Sequence, residues 1–132
     1  MTPHTEPPTD AEWRILKIVY EQGRCSTRDV IAAAAARWRW SDSTVKTLLR
    51  RLCDKGHLTA RTVGSSLLYR PTRPIQRALR ESADRLIDRS VAGAMGPLLQ
   101  YMVAKSNLSA AELATLRELI DAHRAAGDGD AP

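Results

Sequence analysis

The sequence predicts a mainly α-helical chain with one small β-hairpin, arranged as three helices and the hairpin in front and further helices behind. Three observations predict it. Apolar residues between Asp10 and Gly56 recur at helical spacing in three separate runs. Residues 58–70 then change to alternation around a Gly64-Ser65-Ser66 turn. From Pro74 onward the helical period returns three times, and the local excess of positive charge disappears.

Taken in order, residues 1–8 hold three prolines and no periodicity, and are expected to be a flexible tail. The first helix starts near Asp10. Trp13, Leu16 and Tyr20 form an i, i+3, i+7 stripe widened by Ile15, Ile18 and Val19, and Gly23 ends it. Ser26-Thr27-Arg28-Asp29 has the form of a capping box and opens VIAAAAARW, an alanine-rich second helix. Trp38 and Trp40 bracket the turn that follows, with Trp40 wedging the start of the next helix.

That third helix, residues 41–55, combines two kinds of residue. At about 100° per residue, Val45, Leu48, Leu49 and Leu52 fall within about one third of the wheel. Ser43, Thr47 and Arg50 lie opposite them, flanked by Thr44, Lys46 and Arg51. Ser41 or Asp42 can cap its start, and Gly56 supplies its stop. Strands in LTARTV and LLYRPT make the hairpin, which Pro71 and Pro74 end. IQRALRESADRLIDRSV places Leu79, Ala83, Leu86 and Ile87 on one side. A break at residues 93–97 precedes the short apolar helix LLQYMVAK. Asn107-Leu108-Ser109 caps a final helix with Leu113, Leu116 and Ile120 at i, i+3 and i+7, and GDGDAP is expected to fray.

Composition narrows the function classes. A chain of 132 residues suits one domain, or a small domain with an appendage, and leaves little room for an elaborate catalytic pocket. No apolar run approaches the roughly 18 residues of a membrane span, and the proline-rich polar start is unlike a signal peptide, so a cytoplasmic protein without direct membrane binding is expected. Cys25 and Cys53 are isolated, which indicates core packing instead of a disulfide or metal pair. His57 follows a helix stop, where it can meet a phosphate or cap carbonyls; His4 and His123 lie near the ends. No Gly-rich phosphate loop, HExxH or Ser/His/Asp set is present, so no enzyme, metal or cofactor is expected.

Charge is distributed unevenly. Residues 24–73 hold 11 Lys/Arg against 3 Asp/Glu, a net of +8, while the segments before and after are slightly acidic. A short helix, a turn and a second helix with a polar outer face match a helix-turn-helix, and the hairpin is then its wing. The fold class expected is therefore a winged helix-turn-helix domain over residues 9–73, then a helical dimerisation domain over 74–125 and a tail over 126–132. The basic block points to duplex DNA. Ser43 and Thr47 suit short major-groove contacts, and either Arg50 or Arg51 can bond guanine edges; Thr44 lies beside them. Lys46, Arg28 and Lys55 suit phosphate positioning, and Arg61, Arg70, Ser65 and Ser66 place the wing on a backbone or minor groove. A winged protein-interaction adaptor is the alternative class, but it has no need of eight surplus positive charges.

The stretches AEWRILKIVYEQG (11–23), WSDSTVKTLLRRLCDKG (40–56), LLYRP (67–71) and LSAAELATLRELI (108–120) resemble the bacterial family containing the penicillinase, methicillin-resistance and copper-transport repressors. The resemblance runs from Thr9 to His123. It implies a homodimer that reads a palindromic operator and controls an antibiotic- or stress-response operon. Leu79, Leu86, Ile87, Leu98, Leu99, Met102, Leu113, Leu116 and Ile120 would form the interlocked dimerisation face. A chain end reading HRAAGDGDAP lacks the CxC cluster of copper-responsive members, which disfavours copper sensing. The family's induction route, cleavage triggered by a membrane metallopeptidase sensor, maps onto the Tyr101-Met102 bond. There an aromatic replaces the small amide that precedes the cut in the antibiotic-resistance repressors, so altered protease specificity, or induction without cleavage at this bond, is expected.

Overall fold

The computed structural model describes residues 6–130, with side chains through residue 127, so His4 lies outside the described residues. Helix α1, Asp10–Gln22, starts where Thr9 and Glu12 exchange hydrogen bonds, the Glu12 amide donating to Thr9 Oγ1 at 3.2 Å and the Thr9 amide to Glu12 Oε1 at 2.9 Å. It ends at Gly23, whose φ of 80° suits a residue without a Cβ. Helix α2, Thr27–Trp38, opens on the predicted capping box between Ser26 and Asp29. Helix α3, Asp42–Asp54, takes Ser41 as its cap. Strands β2, Leu58–Val63, and β3, Ser66–Pro71, form the hairpin in register Leu58 with Pro71 through Val63 with Ser66.

The sheet has three strands instead of the two expected. Strand β1, Cys25–Ser26, pairs antiparallel with Tyr69 and Leu68 of β3, giving the order β1-β3-β2. Two residues carry no period, so only the long-range pairing reveals this strand. The pairing settles which face of the hairpin is buried. Tyr69, beside Cys25 and Ala60, turns inward; Leu68 and Arg70 turn outward.

The core is built from the predicted apolar faces. Ile15, Leu16, Ile18 and Val19 of α1 meet Val30 and Ala34 of α2 and Val45, Leu48, Leu49 and Leu52 of α3, closed below by Cys25, Leu58 and Tyr69. Each fully buried large side chain contributes roughly 1.5 to 3 kcal/mol. Burial raises the Cys25 thiol to about 11, and the Asp29 carboxylate adds to that shift, so this cysteine packs as a neutral small apolar group.

The α2–α3 turn contains the one non-glycine residue of positive φ among the described residues, Arg39 at φ 57° and ψ 33°. A left-handed conformation costs an L-residue about 1 to 2 kcal/mol. Arg39→Gly is therefore expected to raise unfolding free energy by about 0.5 to 1 kcal/mol after the extra chain entropy of glycine is subtracted. Arg39→Ala keeps the Cβ and should show no such gain in a urea melt. Next to this turn, Trp38 and Trp40 pack with ring centroids 4.9 Å apart, and the Arg14 guanidinium lies 5.6 and 5.8 Å from the two rings.

Helix α4 spans Ile75–Arg89, and its first turns are tied to the residues before it. The chain divides into two compact units between Leu86 and Ile87. The reason is local. Tyr20 Oη donates to the Arg73 carbonyl at 2.8 Å, Arg73 pairs with Glu81, and Ala78 is buried. In the second unit, helix α5, Met95–Lys105, begins earlier than the predicted break allows. Pro97 sits in its first turn, where a backbone donor is not needed. Helix α6, Ala110–Asp130, opens on a Ser109–Glu112 capping box and continues through residues 126–130, which were expected to be a tail. Gly127 is absent from the positive-φ glycines, so it does not make the left-handed stop that ends α1.

Candidate nucleic-acid interface

Four buried apolar residues turn the rest of α3 outward. Ser43, Thr44, Lys46, Arg50 and Arg51 are exposed, and Thr47 is half-buried among them. The start of the helix is organised by Ser41, whose Oγ lies 2.9 Å from Thr44 Oγ1 and 3.2 Å from Ser43 Oγ while accepting the Thr44 amide at 3.3 Å. The hydroxyls are thus positioned ahead of any ligand. Beside this face a groove of about 750 Å³ separates α3 from the wing. Arg28 and Thr27 at the N-terminus of α2, Lys46 and Asp42 of α3, and Ser65 and Ser66 at the wing tip line it. The free amides of a helix start attract anions, and two cations stand beside them.

Not every expected residue comes to this face. Lys55 turns inward and donates to Glu12 Oε1 at 2.7 Å, with Glu12 only 1% exposed. Desolvation favours the protonated Glu12, but the Lys55 ammonium and the Thr9 bonds outweigh it and hold the carboxyl below its usual range. His57 is likewise internal: its Nε2 lies 2.6 Å from the Glu6 carbonyl, to which it can only donate. Burial holds its pKa below the ordinary histidine value despite that bond. Arg61 and Arg70 occupy the outer sheet face, where they line a separate pocket with Arg24. The residues expected at the dimer contact, Leu79, Leu86, Ile87, Leu98, Leu99, Met102, Leu113, Leu116 and Ile120, are exposed or half-buried in the single chain.

Comparison with known proteins assigns the chain. A family model described as the penicillinase repressor matches residues 8–122. The chain belongs to the penicillinase repressor family. An uncharacterised 16.5 kDa protein of Latilactobacillus sakei is 30% identical over 95% of this chain and 86% of its own. The penicillinase repressor of Bacillus licheniformis is 23% identical over 88% of this chain and 91% of its own. The solved DNA-binding domain of the repressor BlaI is 30% identical, covering 52% of this chain and 87% of that one at a TM-score of 0.49.

Within this penicillinase repressor family member, two residues at or near the site escape a reading by sequence. Glu12 looks like an ordinary first-turn acid; its role depends on Lys55, 43 positions away. Arg24 stands outside every periodic run, and only the fold sets it in one pocket with Arg61 and Arg70. Among the described residues, no helix is long and apolar enough to cross a membrane, and no group of three or more His, Cys, Asp or Glu could hold a metal ion.

Proposed function

We propose that this penicillinase repressor family member is a homodimeric transcriptional repressor that reads a palindromic operator in duplex DNA. The observation that carries this reading is the outer face of α3, with its hydroxyls and arginines, placed beside a groove between the α2 N-terminus and the wing tip. Ser43, Thr47 and either Arg50 or Arg51 read bases; Arg28, Thr44, Lys46, Ser65 and Ser66 position the backbone. The protein acts in the cytoplasm without catalysis or cofactor, and its target is an antibiotic- or stress-response operon. A membrane metallopeptidase sensor or another protease is the partner for induction. Tyr101 and Met102 lie inside α5, so cleavage between them requires that helix to open first.

The decisive experiment is an anisotropy titration of the full chain against its own promoter region and against random duplex at equal salt. Equal affinity for both duplexes overturns the reading. Arg50→Ala and Arg51→Ala lie off the leucine face and should leave the melting temperature within about 2 °C, while each lost base contact weakens operator binding by roughly 1 to 3 kcal/mol. If both variants bind as the parent does, α3 does not enter the major groove.

A further inference from the structure

The outer face of the sheet carries an arrangement that the reading face does not explain. Strand β3 is central, and its outward residues are Leu68 and Arg70. On one side Thr59 pairs with Arg70 and Arg61 with Leu68. On the other, Arg24 immediately precedes β1 and lines one pocket with Arg61 and Arg70. Arg61 is then the diagonal neighbour of Arg70. Diagonal neighbours lie about 7 to 8 Å apart, within reach of long side chains, and like charges that close repel one another. All three arginines are exposed, and among the described residues none makes a salt bridge or side-chain hydrogen bond. They surround a pocket of about 280 Å³ whose other lining is Thr59, Ala60, Val63 and Leu68, with no carboxylate. A sheet face needing only solubility would interleave the two signs.

This pocket lies on the opposite side of the wing from the α3 groove. Leu67 lines that groove, whereas Leu68 lines the arginine pocket, and consecutive strand residues point to opposite faces. We propose that Arg24, Arg61 and Arg70 form a second anion site that binds phosphate groups. Guanidinium forks match phosphate oxygens, and three of them without a counter-charge relieve their mutual repulsion when such a group enters. The phosphates come either from duplex DNA flanking the operator or from a free phosphorylated molecule. The first source rests on the DNA-binding reading above; the second does not.

Two titrations of the full chain separate these sources. One measures anisotropy with the operator alone and with the operator extended by 10 base pairs at each end, for the parent, for Arg24→Gln and for the triple variant Arg24→Gln/Arg61→Gln/Arg70→Gln. The other follows arginine side-chain resonances during addition of pyrophosphate without DNA. Flanking DNA should tighten parent binding about tenfold and steepen its salt dependence by about 2 to 3 in log–log slope, at roughly 0.9 per phosphate contact. Arg24→Gln should lose part of that gain and the triple variant all of it, with thermal melts no lower than the parent's. No effect of the flanks, but pyrophosphate shifts in the parent that vanish in the triple variant, would support the same site with a free phosphorylated ligand. A parent that binds the short operator tightly and responds to neither flanks nor pyrophosphate overturns the second site alone. A parent that fails to prefer its operator at all overturns the DNA-binding reading instead.

Discussion

A full-length chain carrying Leu113→Asp and Ile120→Asp should sediment as a monomer, keep the near-ultraviolet signature of its winged unit, and bind a palindromic operator about a hundredfold more weakly than the parent. The size follows from linkage. Two reading heads held together convert the second docking step into an intramolecular one, which adds roughly 10² to 10⁴ in avidity. The second unit has the surface for such a union. From Ile87 onward no described side chain is buried, and Ile120, Leu119, Leu99, Met102 and Leu113 are 64, 64, 51, 46 and 46% exposed. A segment of this size cannot hide those side chains by folding on itself, whereas an identical copy offers the complementary apolar surface. Analytical ultracentrifugation checks the first part and an operator titration the second. A variant that stays dimeric would place the contact elsewhere on the chain.

The second large effect is on stability. Glu12→Ala should lower the unfolding free energy of the winged unit by about 3 kcal/mol, because it strands the Lys55 ammonium in a largely buried setting and removes half of the α1 capping box. A change of that size lowers the melting temperature by roughly 12 to 24 °C in a domain of this length. The pH dependence follows from the depressed Glu12 pKa. Its contribution is present above the ordinary glutamate value of about 4.3 and is lost as pH falls through the lower folded value. Glu12→Gln should therefore trail the parent near neutrality and converge with it in acid. Parallel curves across that range would remove Glu12 from the account.

The elements that sequence exposes are those whose signal is local. Val45, Leu48, Leu49 and Leu52 define the buried side of α3 by spacing alone, and every one is in the core. Ser26 and Asp29 announce the start of α2 within four residues. What stays hidden depends on distance along the chain. Strand β1 exists only because Tyr69 and Leu68 arrive beside it, and Lys55 turns inward only because Glu12 waits there. The boundary at Leu86 is another case. Pro74 marks a change of local pattern, but the Tyr20 bond to the Arg73 carbonyl and the Arg73–Glu81 pair tie the first turns of α4 to the residues before it, and the division falls inside the helix. At the interface, the outer face of α3 is legible from its residues. The separation of Arg61 and Arg70 from the groove beside Lys46 required the sheet register.

The paired indoles beside the α2–α3 turn also give the molecule an optical asymmetry. Trp13, Trp38 and Trp40 are the chain's three tryptophans, and all belong to the unit ending at Leu86. Intrinsic emission therefore follows the melting of that unit, while far-ultraviolet dichroism sums the helices of both. Arg14, stacked on Trp38 and Trp40, lies one turn from Lys17 on the exposed side of α1. If α3 enters DNA as proposed, a change in the environment of those rings would give an unlabelled signal of that event, and rapid mixing could time it separately from subunit exchange.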